Sequence, residues 1–300
     1  MADVEIVLHP TPTADSKPYI IVYGPDRALW FCESGAGKIG RMNPDDASFA
    51  EFATPTPDSK PIGIIPAADG ALWFCENAGN RIGRITTAGA ISEFPLRTPG
   101  AGPDGIVAGP DGNVWFSEAN LSQVGRITPK GEVTEFSKGL TPGCRPLSPV
   151  VRNGDIWFSE YEAGQIGRIS MAGEVTEYKI PTPNSEPRAM VTHPDGNIWF
   201  VQTKANGLGR IDAQGGITEW PVKTPNASLR GVTVAPDGDL WFTENFANKI
   251  GRMSPDGKVI GEYEIPGANC GARAIIAIPD GRLFFSAHDL GAIGEVIPKR

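Results

Sequence analysis

Residues 103–136 read PDGIVAGPDGNVWFSEANLSQVGRITPKGEVTEF, and this stretch decides the fold. It holds four short runs of alternating apolar residues, GIVAG, NVWFSE, QVGRIT and EVTEF. Between them stand a PDG turn, a polar loop and a glycine turn, and a proline-rich connection follows. Alternation over four to six residues between Gly, Asp and Pro breaks is the pattern of half-buried strands, here four antiparallel ones in succession.

The same unit recurs along the chain. Its aromatic pair appears as Trp30-Phe31, Trp73-Phe74, Trp115-Phe116, Trp157-Phe158, Trp199-Phe200, Trp241-Phe242 and, altered, Phe284-Phe285, at steps of 43, 42, 42, 42, 42 and 43 residues. Four strands repeated seven times at this period make an all-β, seven-bladed β-propeller. The last unit ends after its third strand, AIGEVI, whereas the chain begins with VEIVLHPTP, text of the fourth-strand kind. The N-terminal strand is therefore expected to complete blade seven and remove a free sheet edge. Residues 1–300 form one domain on this reading.

Composition agrees: 37 glycines and 28 prolines in 300 residues suit short strands and tight turns. The net charge of −8 argues against a general nucleic-acid or acidic-membrane binder, which needs an extended basic surface. No apolar stretch approaches bilayer length, and the N-terminal text lacks a basic segment followed by an apolar run, so a cytoplasmic monomer is expected. The four cysteines have neither metal nor redox spacing and read as reduced structural thiols. No P-loop, G-x-S-x-G elbow or H-E-x-x-H occurs.

The cadence LWFCENAGNRIGRITTAGAISEFPL and LWFTENFANKIGRMSPDG resembles the virginiamycin B lyase (streptogramin lyase) family over essentially the whole chain. Members are seven-bladed propellers that open the ester-closed ring of type B streptogramins by elimination. The resemblance implies a magnesium ion and a histidine general base near the axis. It implies histidines at the start of the first strands of blades six and seven, one glutamate shortly before the second of them, and another after the final aromatic pair. Those positions hold Arg230, Arg273, Gly271 and His288 here. Arginine has no acceptor lone pair, glycine has no ligand, and magnesium prefers oxygen to imidazole, so base and metal set are both replaced.

Strand direction places residues just before strand one and just after strand two on one rim. Eleven residues before each aromatic pair stand Tyr19, Ile62, Asp104, Pro146, Arg188, Arg230 and Arg273. Two residues earlier stand Lys17, Lys60, Gly102, Cys144, Glu186, Ser228 and Gly271, with Arg145 adjoining. Arg188, Arg230, Arg273, Lys17, Lys60 and Arg145 are the candidate substrate-binding residues, since guanidinium forks match carboxylate and phosphate. A second reading pairs the arginines with Glu186, Asp104 and the strand-two glutamates in a purely structural network.

The candidate acid–base groups are His288, Tyr19, Glu186 and Asp104. A carboxylate close to Arg188 is expected to have a lowered pKa, and Tyr19 among cations is expected to shift toward phenolate. His193 belongs to a far-face turn and His9 to the outer strand. Glu33, Glu76, Glu118, Glu160 and Glu244 recur after the aromatic pair, with Gln202 and Ala287 breaking the series. They are expected to accept from loop backbone or a neighbouring blade. The sequence thus points to a diverged lyase-like enzyme acting on a small cyclic or anionic metabolite. The alternatives are a non-catalytic propeller that binds an anion or a partner protein, and a propeller lactonase, whose carboxylate- and asparagine-lined metal site this ring lacks.

Overall fold

The computed structural model describes residues 4–267 and 269–298. Seven four-stranded antiparallel sheets stand around one axis, six of them with their strands in sequence order from the axis outward. Blade five is typical: Pro187–Thr192, Ile198–Gln202, Gly207–Ile211 and Ile217–Pro221. Blade seven takes its outer strand from the N-terminus, where Val4–Pro10 pairs antiparallel with Ala292–Pro298. The two ends of the chain thus lock the ring, as the sequence implies. No helix among the described residues is long and apolar enough to cross a membrane.

The aromatic pair builds the blade contacts. Trp30, Trp73, Trp115 and Trp199 are almost wholly buried, as is each following Phe. The six tryptophans of the aromatic pair stack on a strand-four aromatic of the same blade, for example Trp73 on Phe94 with centroids 5.5 Å apart. The Phe lies over the strand-three glycine of the IGRI text. A Cβ at Gly83 would strike the Phe74 ring, so this position excludes any side chain.

The strand-two glutamates correct the expectation made for them. Glu33, Glu76, Glu118, Glu160 and Glu244 are fully buried, and neither carboxylate oxygen of any of them finds a donor. Each instead faces a strand-four glutamate of its own blade: Glu51, Glu93, Glu135, Glu177 and Glu262 respectively. That second glutamate accepts from the backbone and hydroxyl of a threonine in the connection preceding the blade, as Glu93 does from Thr56 at 2.8 and 2.6 Å.

Burial first, and the facing glutamate second, push the pKa of Glu33, Glu76, Glu118 and Glu160 up to about 8 and that of Glu244 to about 7. Two carboxylates ionise together only with difficulty in so little water, so each pair keeps a proton below the raised pKa of its buried member. The exceptions fit this. Blade five has Gln202, which cannot ionise, at the strand-two position, and blade seven loses the whole unit together, with Ala287, Leu8 and Gly267 at the three positions.

Candidate functional site

The mouth of the channel is built by three columns of residues, one member per blade. The innermost column is carried by a β-bulge at the start of each first strand. In blade five, Pro187 pairs with Gln202 and Met190 with Phe200, so Arg188 and Ala189 together oppose Val201. The same irregularity sits at Tyr19, Ile62, Asp104, Arg230 and Arg273. A bulge frees a residue from the ladder and re-aims its side chain, here toward the axis.

The second column immediately precedes each strand: Lys17, Lys60, Gly102, Arg145, Glu186, Ser228 and Gly271, all at positive φ between 53 and 63°. This left-handed turn aims each carbonyl at the loop after strand two. Lys17 O accepts from Ser34 N, Arg145 O from Tyr161 N and Glu186 O from Thr203 N. Five side-chain-bearing residues in this sparsely populated region mark a geometry that the fold imposes.

Blade four corrects the residue count. Its far-face turn is the two-residue Asn153-Gly154, both at positive φ, one residue shorter than the other turns. Such a tight hairpin needs no further residue. Counting back from Trp157 therefore overshoots by one: Leu147, not Pro146, stands in the innermost column, and Arg145, not Cys144, stands in the second. Arg145 is thus in register with Lys17 and Lys60.

The third column follows strand two: Ser34, Asn77, Ala119, Tyr161, Thr203, Asn245 and His288. It holds a residue that the sequence reading missed, although its column position is visible there. Tyr161 lies between two guanidinium groups, with Arg188 4.8 Å and Arg145 5.1 Å from its ring centre, and its hydroxyl donates to Glu186 at 2.6 Å. On the opposite side, Arg273 lies 4.7 Å over Tyr19, whose ring meets His288 edge-on at 5.8 Å. Tyr19 and Tyr161 are platforms that orient arginines by cation–π contact.

Arg188, Arg230 and Arg273 line one channel cavity of about 210 Å³ together with Tyr19 and Asp104, above an apolar throat. A second cavity of about 450 Å³ adjoins it and shares Tyr19, Asp104 and Arg273; Lys17, Lys60, Arg145 and His288 line its walls. Every predicted site residue except Glu186 lines one of the two, and Glu186 is linked to them only through Tyr161, on which the lining residues Arg188 and Arg145 stack.

Among the described residues, none of the three channel arginines makes an ion pair, and the Nε of each is buried without an acceptor. The structural network with the strand-two glutamates does not form. Desolvation, then the neighbouring charges of Arg188 and Arg273, lowers the Arg230 pKa to about 10. Asp104 faces Arg188, Arg145, Lys60 and Arg273, yet desolvation outweighs them and its pKa is raised, opposite to the shift expected near Arg188.

His288 contacts Asp289, missed in the sequence, through Nδ1 to Oδ1 at 2.9 Å. Desolvation lowers the imidazole pKa against the raising effect of Asp289, and Arg273 and Lys17 add to the lowering. The ring is therefore neutral at pH 7. With the Nδ1 proton held by Asp289, Nε2 is a free acceptor. His193 is confirmed in the far-face turn, its Nε2 3.0 Å from Gly238 O, and His9 in the outer strand, 3.2 Å from Glu295.

The magnesium implied by the family does not fit these residues. Magnesium needs several converging oxygen ligands. Three guanidinium groups converge here instead, and no group of three or more His, Cys, Asp or Glu side chains does so among the described residues.

Comparison with known proteins places this geometry. The model of the virginiamycin B lyase family matches residues 2–202 and 149–300. No curated protein matches the sequence. Among solved structures, the chain is similar to virginiamycin B lyase from Staphylococcus aureus, at 35% identity and TM-score 0.93 over 99% of this chain and 100% of that one. It is similar to a streptogramin B lyase at 32% identity and TM-score 0.94, over 99% and 98%. A catalytically inactive histidine-to-alanine variant of the S. aureus enzyme, solved with quinupristin, matches at 34% identity and TM-score 0.93 over 99% and 100%.

Proposed function

Since the chain belongs to the virginiamycin B lyase family, we propose that its mouth catalyses a ring-opening or related elimination on a small substrate bearing an anionic group, with arginines in place of metal and catalytic histidines. The observation that carries this reading is Arg230. A guanidinium kept half-buried between two others, without a counter-ion, is costly unless an anion joins them.

The chemistry follows from the groups present. Nε2 of His288 takes a proton from the carbon beside the substrate's carbonyl. The C–H electron pair becomes the new C=C bond as the adjacent C–O bond breaks, and the departing oxygen leaves as a carboxylate. Arg273 and Arg230 offset the charge that develops on carbonyl and leaving group, the role of preorganised donors in a water-poor site. The proton on His288 then passes to solvent, so atoms and mass are conserved. Tyr19 orients Arg273, and Tyr161 with Glu186 orients Arg188. Asp104 keeps the arginines from repelling one another outward.

The alternative, a propeller that binds an anion without turning it over, is favoured by the replacement of both family histidines by Arg230 and Arg273. Incubation with a type B streptogramin and with a carboxylate-bearing depsipeptide lactone, followed by fragmentation mass spectrometry, separates the two. Elimination leaves the mass unchanged, so the fragments report the open ring. Opening of either substrate by the wild type and not by His288→Ala supports the enzyme reading. Intact rings with anion binding retained support the alternative.

A further inference from the structure

We infer that the ligand of this mouth carries two anionic groups, one in each cavity, with its reacting middle passing over Asp104. The inference rests on the reading of the mouth as an anion site and deepens it. The innermost column gives the channel Arg188, Arg230 and Arg273, none of them ion-paired among the described residues. The second column gives the adjoining cavity Lys17, Lys60 and Arg145. These two clusters come from different columns and opposite sides of the ring, blades five to seven against blades one, two and four.

The second cluster is only partly compensated. Lys17 approaches Asp289 at 3.8 Å and Arg145 approaches Glu162 at 3.3 Å, both exposed contacts of small strength. Lys60 has no ion-pair partner among the described residues. Asp104 stands between the clusters and feels cations of both, Arg188 and Arg273 from one, Arg145 and Lys60 from the other. One anionic group centred in the mouth would meet this carboxylate. Two groups straddling it would each meet cations and leave only uncharged atoms opposite Asp104, beside Tyr19 and His288. A dicarboxylate, or a carboxylate joined to a phosphate, has this form.

Isothermal titration with malonate, succinate, glutarate and butyrate at constant ionic strength tests the inference, using the whole protein and its Lys60→Met and Arg230→Met variants. At least one dicarboxylate should bind the wild type about tenfold or more tighter than butyrate, since an added charge-assisted contact contributes on that scale. Lys60→Met should bring that dicarboxylate down to the level of butyrate without changing butyrate, whereas Arg230→Met should weaken both. Butyrate binding as tightly as every dicarboxylate, or Lys60→Met weakening both by one factor, would overturn the two-anion inference and leave the anion site standing. Failure of all four acids to bind the wild type would overturn the anion reading itself.

Discussion

The carboxylate of Asp289 occupies the volume in which a side chain at Gly271 would begin. In the family pattern, the residue two before the blade-seven histidine is an acidic metal ligand. Here that residue is glycine, and an acid from the following loop fills the space beside it, contacts His288 and approaches Lys17. The absence of a side chain at Gly271 thus makes the room from which Asp289 orients the imidazole of His288.

This contact predicts a strong coupling between the two positions. Lys17, Lys60 and Arg145 adopt nearly the same positive φ as Gly271, so the fold can hold a side chain there at the strain of the left-handed region. Gly271→Ala should still cost about 1–3 kcal/mol, because its Cβ must displace Asp289. In the Asp289→Gly background the same substitution should cost much less. Urea denaturation of the four proteins of this cycle checks it, and additive costs would contradict the packing described.

His288 should titrate below its ordinary value of 6.5. Removing the group that raises its pKa, as in Asp289→Asn, should lower it further, and Arg273→Met should raise it. The imidazole resonances of labelled histidine followed by NMR against pH report all three values. A wild-type value raised well above about 7 would leave a cation at this position at neutral pH and remove the general base.

The buried carboxyl pairs predict an alkaline loss of stability. Folded Glu118 holds its proton up to about pH 8, whereas its ordinary value is 4.5. A raised acid pKa gives stabilisation that is complete below pH 4.5 and is lost as pH climbs toward 8. Melting temperature should therefore fall between pH 5 and pH 9. Glu118→Gln, which copies Gln202 of blade five, should flatten that fall and raise the value at pH 9 by about 2 °C or more. Parallel curves for variant and wild type would contradict the shared proton.

The 42-residue step made the propeller and its closure legible, because each blade must bury the same aromatic pair against its neighbour. The mouth was legible wherever a column keeps constant spacing to that pair, as at Arg188, Arg230 and Arg273. It failed at blade four, where the missing residue lies in a turn between the mouth and Trp157, so Arg145 and Leu147 were misaligned. Tyr161 and Asp289 were missed for another reason. Their roles arise from stacking and from a space opened by Gly271, and neither has a spacing. The bulges that aim the arginines leave no residue signature either.

The central claim, that this mouth is an arginine-built anion site in place of a metal centre, is tested most directly by thermal denaturation of the wild type and Arg230→Met. Each is measured at one ionic strength in chloride, in magnesium chloride and in succinate. Succinate should raise the wild-type melting temperature, magnesium should leave it unchanged, and Arg230→Met should melt higher than wild type in chloride and lose the response to succinate. Stabilisation of the wild type by magnesium and not by succinate would contradict the account.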